Sequence, residues 1–195
     1  MMLSEELYPQ RVFYYFEQIA AIPHGSRNAK AISDYLVNFA KEHNLVWYQD
    51  ENNNVVIVKE ASAGYEAAEP IIIQGHMDMV CEKEKGVDID FEKDGLKLYI
   101  DGDFLKAEGT TLGGDDGIAV AYALALLDSQ EIAHPKLEVV ITVDEEIGML
   151  GADAIDLSML TGHTMLNIDS DVEGSFLTGC AGGNGYQKRG RGSYE

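Results

Sequence analysis

Three apolar runs that each break off into acidic residues constrain this chain more than any other feature of its sequence. Residues 71–74 read Ile-Ile-Ile-Gln and pass through Gly75 into His76-Met77-Asp78. Residues 137–143 run into Asp144-Glu145-Glu146, and 165–168 run into Asp169-Ser170-Asp171. Short β-branched runs bounded by Gly and acids read as buried strands. The segment 117–127, rich in Ala and Leu, reads as a buried helix, and a further helix is predicted around 149–157. Strand alternating with helix predicts an α/β fold, a three-layer sandwich with a largely parallel sheet. In such sheets ligands bind beyond the carboxyl ends of the strands, so the three acidic clusters should converge on one crevice.

The remaining segments fit that plan. Apolar residues at helical spacing over 12–22 and 29–42 predict two opening amphipathic helices, with Ser26 or Asn28 placed to cap the second. Residues 54–59 predict a strand, and 61–70 a polar loop. Asp101-Gly102 between 98–100 and 104–106 marks a hairpin, because Gly tolerates the positive φ of a tight turn. Residues 179–195 lack hydrophobic periodicity and hold six glycines between Gly179 and Gly192, the pattern of a linker. No internal repeat is evident.

Charge and cysteine content narrow the function. Fourteen Lys and Arg against 34 Asp and Glu give a net charge of -20 over 195 residues, which disfavours nucleic acid and anionic membrane as partners. The two cysteines, Cys81 and Cys180, cannot build a disulfide framework, and 1–10 hold no apolar run, so a cytoplasmic protein is expected. Taken singly, a His beside an Asp is an ordinary surface pair, Asp-Glu-Glu a solvated loop, and Gly-Asp-Asp-Gly (114–117) a turn and helix cap. Taken together they are too many like charges to sit at adjacent strand ends without a cation. One imidazole with several carboxylates suits zinc, cobalt or manganese, and neither cysteine is needed. His24, His43, His134 and His163 lie outside the clusters and are expected to be structural or exposed. Loop solvation is the expectation for Asp116, Asp144 and Asp171, a buried inert thiol for Cys81, and packing for Trp47.

The segments PHGSRN (23–28), QGHMDMVCEK (74–83), EGTTLGGDDGIAVAYALALL (108–127), TVDEEIGMLGA (142–152) and NIDSD (167–171) resemble bacterial aminoacyl-histidine dipeptidases. These carnosinase-like Xaa-His dipeptidases belong to the aminoacylase and carboxypeptidase-G-like clan of di-zinc metallopeptidases. The resemblance implies that 1–178 form the N-terminal part of the metallopeptidase catalytic domain. It makes 179–195 a Gly-rich linker toward a lid and dimerisation domain absent from this chain, through which a homodimer would form.

The resemblance also implies two divalent metal ions, zinc first, with His76 and Asp169 on one, Glu146 on the second and Asp115 as the bridge. The adjacent Asp116 stays open as an alternative bridge. Asp78 would orient His76, and Glu145 would be the general base. The implied reaction is hydrolysis of dipeptides, Xaa-His and β-Ala-His among them, by a metal-activated water. An N-acyl amino acid deacylase using the same centre and a non-catalytic fragment are the alternatives. In the family a further His, near the end of a longer polypeptide, completes the second metal site, so the 195-residue chain alone is expected to turn over poorly.

Overall fold

The computed structural model describes residues 3–170, 172 and 174–179. Asp171, Cys180 and the expected linker beyond Gly179 lie outside the described residues. A 3-10 turn, Leu3–Glu5, leads into α1 (Gln10–Ala20) and α2 (Lys30–Glu42), the two expected amphipathic helices. Their inward stripes are Val12, Phe16 and Ile19 on α1, and Ile32, Leu36, Phe39 and Ala40 on α2, all buried. No side chain caps α2, whose first flanking residue is Ala29. The cap expected from Ser26 or Asn28 does not form. Arg27 takes a left-handed φ of 66°, and the Ser26 hydroxyl donates instead to Asp78 Oδ2 at 2.7 Å. The Asn28 amide reaches the carbonyls of Phe91 and Glu92.

Strands β1 (Val46–Gln49), β2 (Val55–Lys59), β3 (Ile71–His76), β6 (Leu137–Thr142) and β7 (Thr164–Asn167) form one sheet in the order β1-β2-β6-β3-β7. The β6-β3-β7 block is parallel, whereas β2 runs antiparallel to both β6 and β1. Four strands therefore point one way, and the expected largely parallel sheet is found with one reversed strand. The edge strand β1 escaped sequence reading because its residues 46–48 are exposed and carry no in-out alternation. A separate hairpin pairs β4 (Leu98–Asp101) with β5 (Phe104–Ala107) around Gly102, at φ +61°.

The two faces of the sheet are unequal. Alternation places Val55, Ile57, Ile73, Val139 and Ile141 on the face covered by α1, α2 and α3 (Gly114–Asp128), where the main core lies. Val56, Val58 and Val140 face the other way, against Ile72, Ile155, Met159 and Leu160, beside the short α4 (Leu150–Ala154). Among the described residues no helix is long and apolar enough to cross a membrane.

One charge sits inside this sheet. Glu138, fully buried on β6, accepts hydrogen bonds from the Thr161 amide and hydroxyl and from the Gly162 amide, and pairs with Lys136 at 2.9 Å. Burial works against the carboxylate, but these donors outweigh it and hold its pKa down to about 2, from a usual 4.5. Its contribution is therefore present above about 4.5 and lost as pH falls toward about 2. Glu138→Gln should cost ~1–3 kcal/mol at pH 7 by urea unfolding, with the gap to wild type closing as pH falls through that window. A pH-independent gap would contradict the assignment.

Candidate metal centre

The parallel block brings the carboxyl ends of β6, β3 and β7 side by side, and each strand stops where its acidic cluster begins. β3 ends on His76, which is 1% exposed. From β6 the chain turns through Asp144, at φ 54°, into Glu145 and Glu146, and from β7 it passes through Ile168 to Asp169. Helix α3 closes the group from below. It starts after Gly113 (φ +67°), with Asp115 and Asp116 in non-helical conformations joined by a cis peptide. The helix approaches β3 this closely because residue 75 is glycine: a Cβ there would stand 2.6 Å from Asp116 Oδ2 and 2.9 Å from Ala119 Cβ.

His76 is the hub. Its amide donates to Asp116 Oδ2 at 3.1 Å, and its Nε2 lies 2.9 Å from Asp115 Oδ1 and 3.8 Å from Glu145 Oε2. Its Nδ1 faces the Asp78 carbonyl at 2.9 Å and Asp78 Oδ1 at 3.5 Å. Asp78 is itself fixed, with Oδ1 accepting the Glu145 amide at 3.0 Å and Oδ2 accepting the Ser26 hydroxyl. Both imidazole nitrogens thus face acceptors, a geometry satisfied by the imidazolium. Burial disfavours that charge, but the Asp78 hydrogen bond and the charges of Asp116 and Asp78 prevail and raise the His76 pKa to about 10.

The carboxylates are pushed the other way. Burial, reinforced by Asp169 and Asp115, lifts Asp116 to about 7 against the opposing pull of His76. Glu145 and Glu146 are also raised, first by burial, and in each case Asp115 and Asp78 add repulsion that His76 partly offsets. Two sets of ligand atoms come within 4.8 Å of one another: His76, Asp116 and Asp169, and His76, Asp115 and Glu146. One nitrogen with carboxylate oxygens at this spacing fits zinc, cobalt or manganese, and a divalent cation relieves the crowding that lifts the acids.

Sequence and structure then agree with a known family. The model of peptidase family M20/M25/M40 matches residues 72–178. The chain belongs to that family. It is 42% identical over 178 residues to the cytosol non-specific dipeptidase of Escherichia coli, covering 91% of this chain and 37% of that protein. An aminoacylhistidine dipeptidase from Vibrio alginolyticus superposes with a TM-score of 0.85 at 41% identity, over 88% of this chain and 35% of that one. A tripeptidase from Staphylococcus aureus shares the fold at 24% identity and a TM-score of 0.69. The chain thus spans little more than a third of the length of the two dipeptidases.

Of the M20 chain's expected site residues, the structure gathers His76, Asp78, Asp115, Glu145, Glu146 and Asp169. Asp116 departs from its expected solvation: it is 1% exposed, because the contact with Gly75 draws it under β3. Asp144 accepts the Arg27 amide at 2.6 Å, so it ties the loop at 144 to the segment 23–28 rather than only facing solvent. Ser26 was missed as a site residue, since a hydroxyl before a helix reads as a cap. His24 and His134 are buried on main-chain carbonyls, those of Ile22 and Pro135. His43 pairs with Asp128, and His163 is exposed. Cys81 is half-buried, and burial raises its thiol pKa.

These protonation states set how a metal must bind. In the metal-free protein His76 keeps its second proton up to about 10, and Asp116 holds one below about 7. A cation has to displace both at low pH and only the first at high pH. Zinc titrations by calorimetry, in buffers differing in ionisation enthalpy, should show more than about one proton released at pH 6, falling toward about one at pH 8.5. Binding without proton release would remove His76 from the ligand set.

Proposed function

We propose that this chain carries the metal-binding and catalytic face of an M20 dipeptidase that hydrolyses Xaa-His dipeptides, β-Ala-His among them. The observation that carries the reading is the gathering of His76 with carboxylates from three adjacent strand ends and the start of α3. Likeness to the E. coli dipeptidase supports dipeptides as the substrate class, and likeness to the Vibrio aminoacylhistidine dipeptidase supports the Xaa-His preference.

In this reading His76 and Asp169 hold one cation, Glu146 holds the other, and Asp115 bridges. Asp115 suits the bridge because its side chain is 61% exposed to the crevice and lies against His76 Nε2, within ligand spacing of Glu146. Asp116 is already engaged by the His76 amide. When bound, the two cations would supply the Lewis acidity that makes a water reactive near neutral pH and polarises the scissile carbonyl.

The chain's own groups do the rest. Asp78 fixes the orientation of His76 through Nδ1 and, through the Glu145 amide, the position of the loop beyond β6. Loss of such a partner typically lowers metal affinity or activity ~10–100-fold. Glu145, its pKa raised by burial, takes the proton of the attacking water and hands it to the leaving amine. Among the described residues the second cation has only Glu146 and the bridging Asp115, so its occupancy in this chain should be weak.

The test uses elemental analysis and hydrolysis together, in this chain and at the matching position of the E. coli dipeptidase. His76→Ala should remove bound metal. Glu145→Gln should keep the metal and slow β-Ala-His hydrolysis by ~10²–10⁴-fold. Equal metal in His76→Ala and wild type would refute the ligand assignment, and near-normal turnover in Glu145→Gln would refute the base. Faster cleavage of an N-acetylated amino acid than of a dipeptide would identify a deacylase instead. The chain by itself should turn over far more slowly than the longer relative with excess zinc, cobalt or manganese.

A further inference from the structure

The segment 143–149, which carries Glu145 and Glu146 into α4, has no regular structure of its own, and three of its residues have positive φ. Asp144 and Met149 have left-handed φ of 54° and 58°, and Gly148 has φ of 117°. The Gly148 and Met149 amides fold back on the Glu145 carbonyl, both at 2.9 Å. Such a loop keeps its shape only if its two ends are pinned. The Gly151 amide donates to the Val143 carbonyl at 3.0 Å and closes the base.

One side chain spans that base from a different strand connection. Asn54, 0% exposed, accepts the Val143 amide on Oδ1 at 3.0 Å and donates from Nδ2 to the Gly151 carbonyl at 3.1 Å. The same Nδ2 donates to Asp50 Oδ2 at 2.7 Å, and Asp50 Oδ1 accepts the Asn52 and Asn54 amides. The amide group is therefore fully used, and Asp50 fixes which way round it lies. Gly151 is matched to it: a Cβ there would stand 2.4 Å from Asn54 Oδ1 and 2.4 Å from the Val143 carbonyl.

We infer that Asn54 is a positioning residue, a clamp across the base of the 143–151 loop that holds Glu145 and Glu146 at the crevice. It touches no reacting group. It lies just before β2, on the far side of β6 from His76, so it acts on the crevice only through this loop. Its consequence for metal binding rests on the function proposed above, whereas the clamp itself does not.

Asn54→Ala removes both bonds. Asn54→Asp keeps an acceptor toward Val143 but turns a buried carboxylate against Asp50 and the Gly151 carbonyl, and Asp50→Ala frees the Asn54 amide without touching the loop. Amide hydrogen exchange of the metal-free chain should speed up about tenfold or more at residues 148–151 in Asn54→Ala and Asn54→Asp, and less in Asp50→Ala, with β3 and α3 unchanged. Cobalt titration followed by its visible absorption should show the weaker binding event falling ~10–100-fold, with the tighter event retained. Glu138→Gln, a buried change elsewhere on β6, serves as the control for general destabilisation and should produce neither effect. Exchange that is unchanged in the loop, or accelerated uniformly as in the control, would overturn the clamp. If the Asn54 variants do not fold, the Asp50→Ala chain decides by the same exchange readout. A wild type that binds no cobalt would sink the metal centre and leave the exchange result to judge Asn54 alone.

Discussion

The structure turns on a buried imidazole surrounded by more negative charge than it can neutralise. His76 meets Asp78 through one nitrogen, Asp115 and Glu145 through the other, and Asp116 through its amide. A single protonated ring raised to about 10 and an aspartic acid raised to about 7 are two halves of one electrostatic compromise. Proton uptake is the way such a site lowers its charge, and a divalent cation is the other. Repulsion that costs stability without a cation would be converted into affinity for one, because binding would relieve it.

That compromise needs a particular backbone. Carboxylates from β6, β7 and α3 reach one ring only because the β6-β3-β7 block is parallel and its carboxyl ends coincide. α3 adds its pair because Gly75 leaves room for Asp116 beneath β3. Placing acids at the start of a helix is locally favourable, since the first amides and the helix dipole stabilise negative charge there.

How much of this the sequence announces depends on what carries the signal. The helices and most strands are written as periodicity, and the strand-end acids of β3, β6 and β7 as abrupt changes from apolar to charged. Asp116 is not legible in that way, because its burial follows from a missing Cβ forty-one positions earlier in the chain. Ser26 and Asn54 were equally silent. A serine before a helix and an asparagine beside a strand both have ordinary local uses, and only tertiary contact reveals that one holds Asp78 and the other spans Val143 and Gly151. Residues whose chemistry is charge are visible in sequence, whereas neutral groups that aim the charges are not.

The elements around the ring are unequally secured. β3 and β6 are sandwiched by other strands and buried, so His76 and the base of the 143–151 loop sit on the firmest part of the sheet. Asp169 hangs from β7, which pairs with β3 along four residues and is exposed throughout. The end of that strand is held, among other contacts, by the Asn167 amide group to Gln74 Oε1 at 2.5 Å, the Ile168 amide to the Gln74 carbonyl at 3.4 Å, and the Asp169 amide to Asn167 Oδ1 at 3.3 Å. Edge segments with few buried contacts open at low free energy. If Asp169 and His76 share a cation, that ion links β7 to β3. Its binding free energy then appears partly as order at β7, since a ligand that binds only the closed arrangement stabilises it by mass action. Metal at this centre would accordingly have two physical effects at once, neutralising the acids and tying β7 to β3.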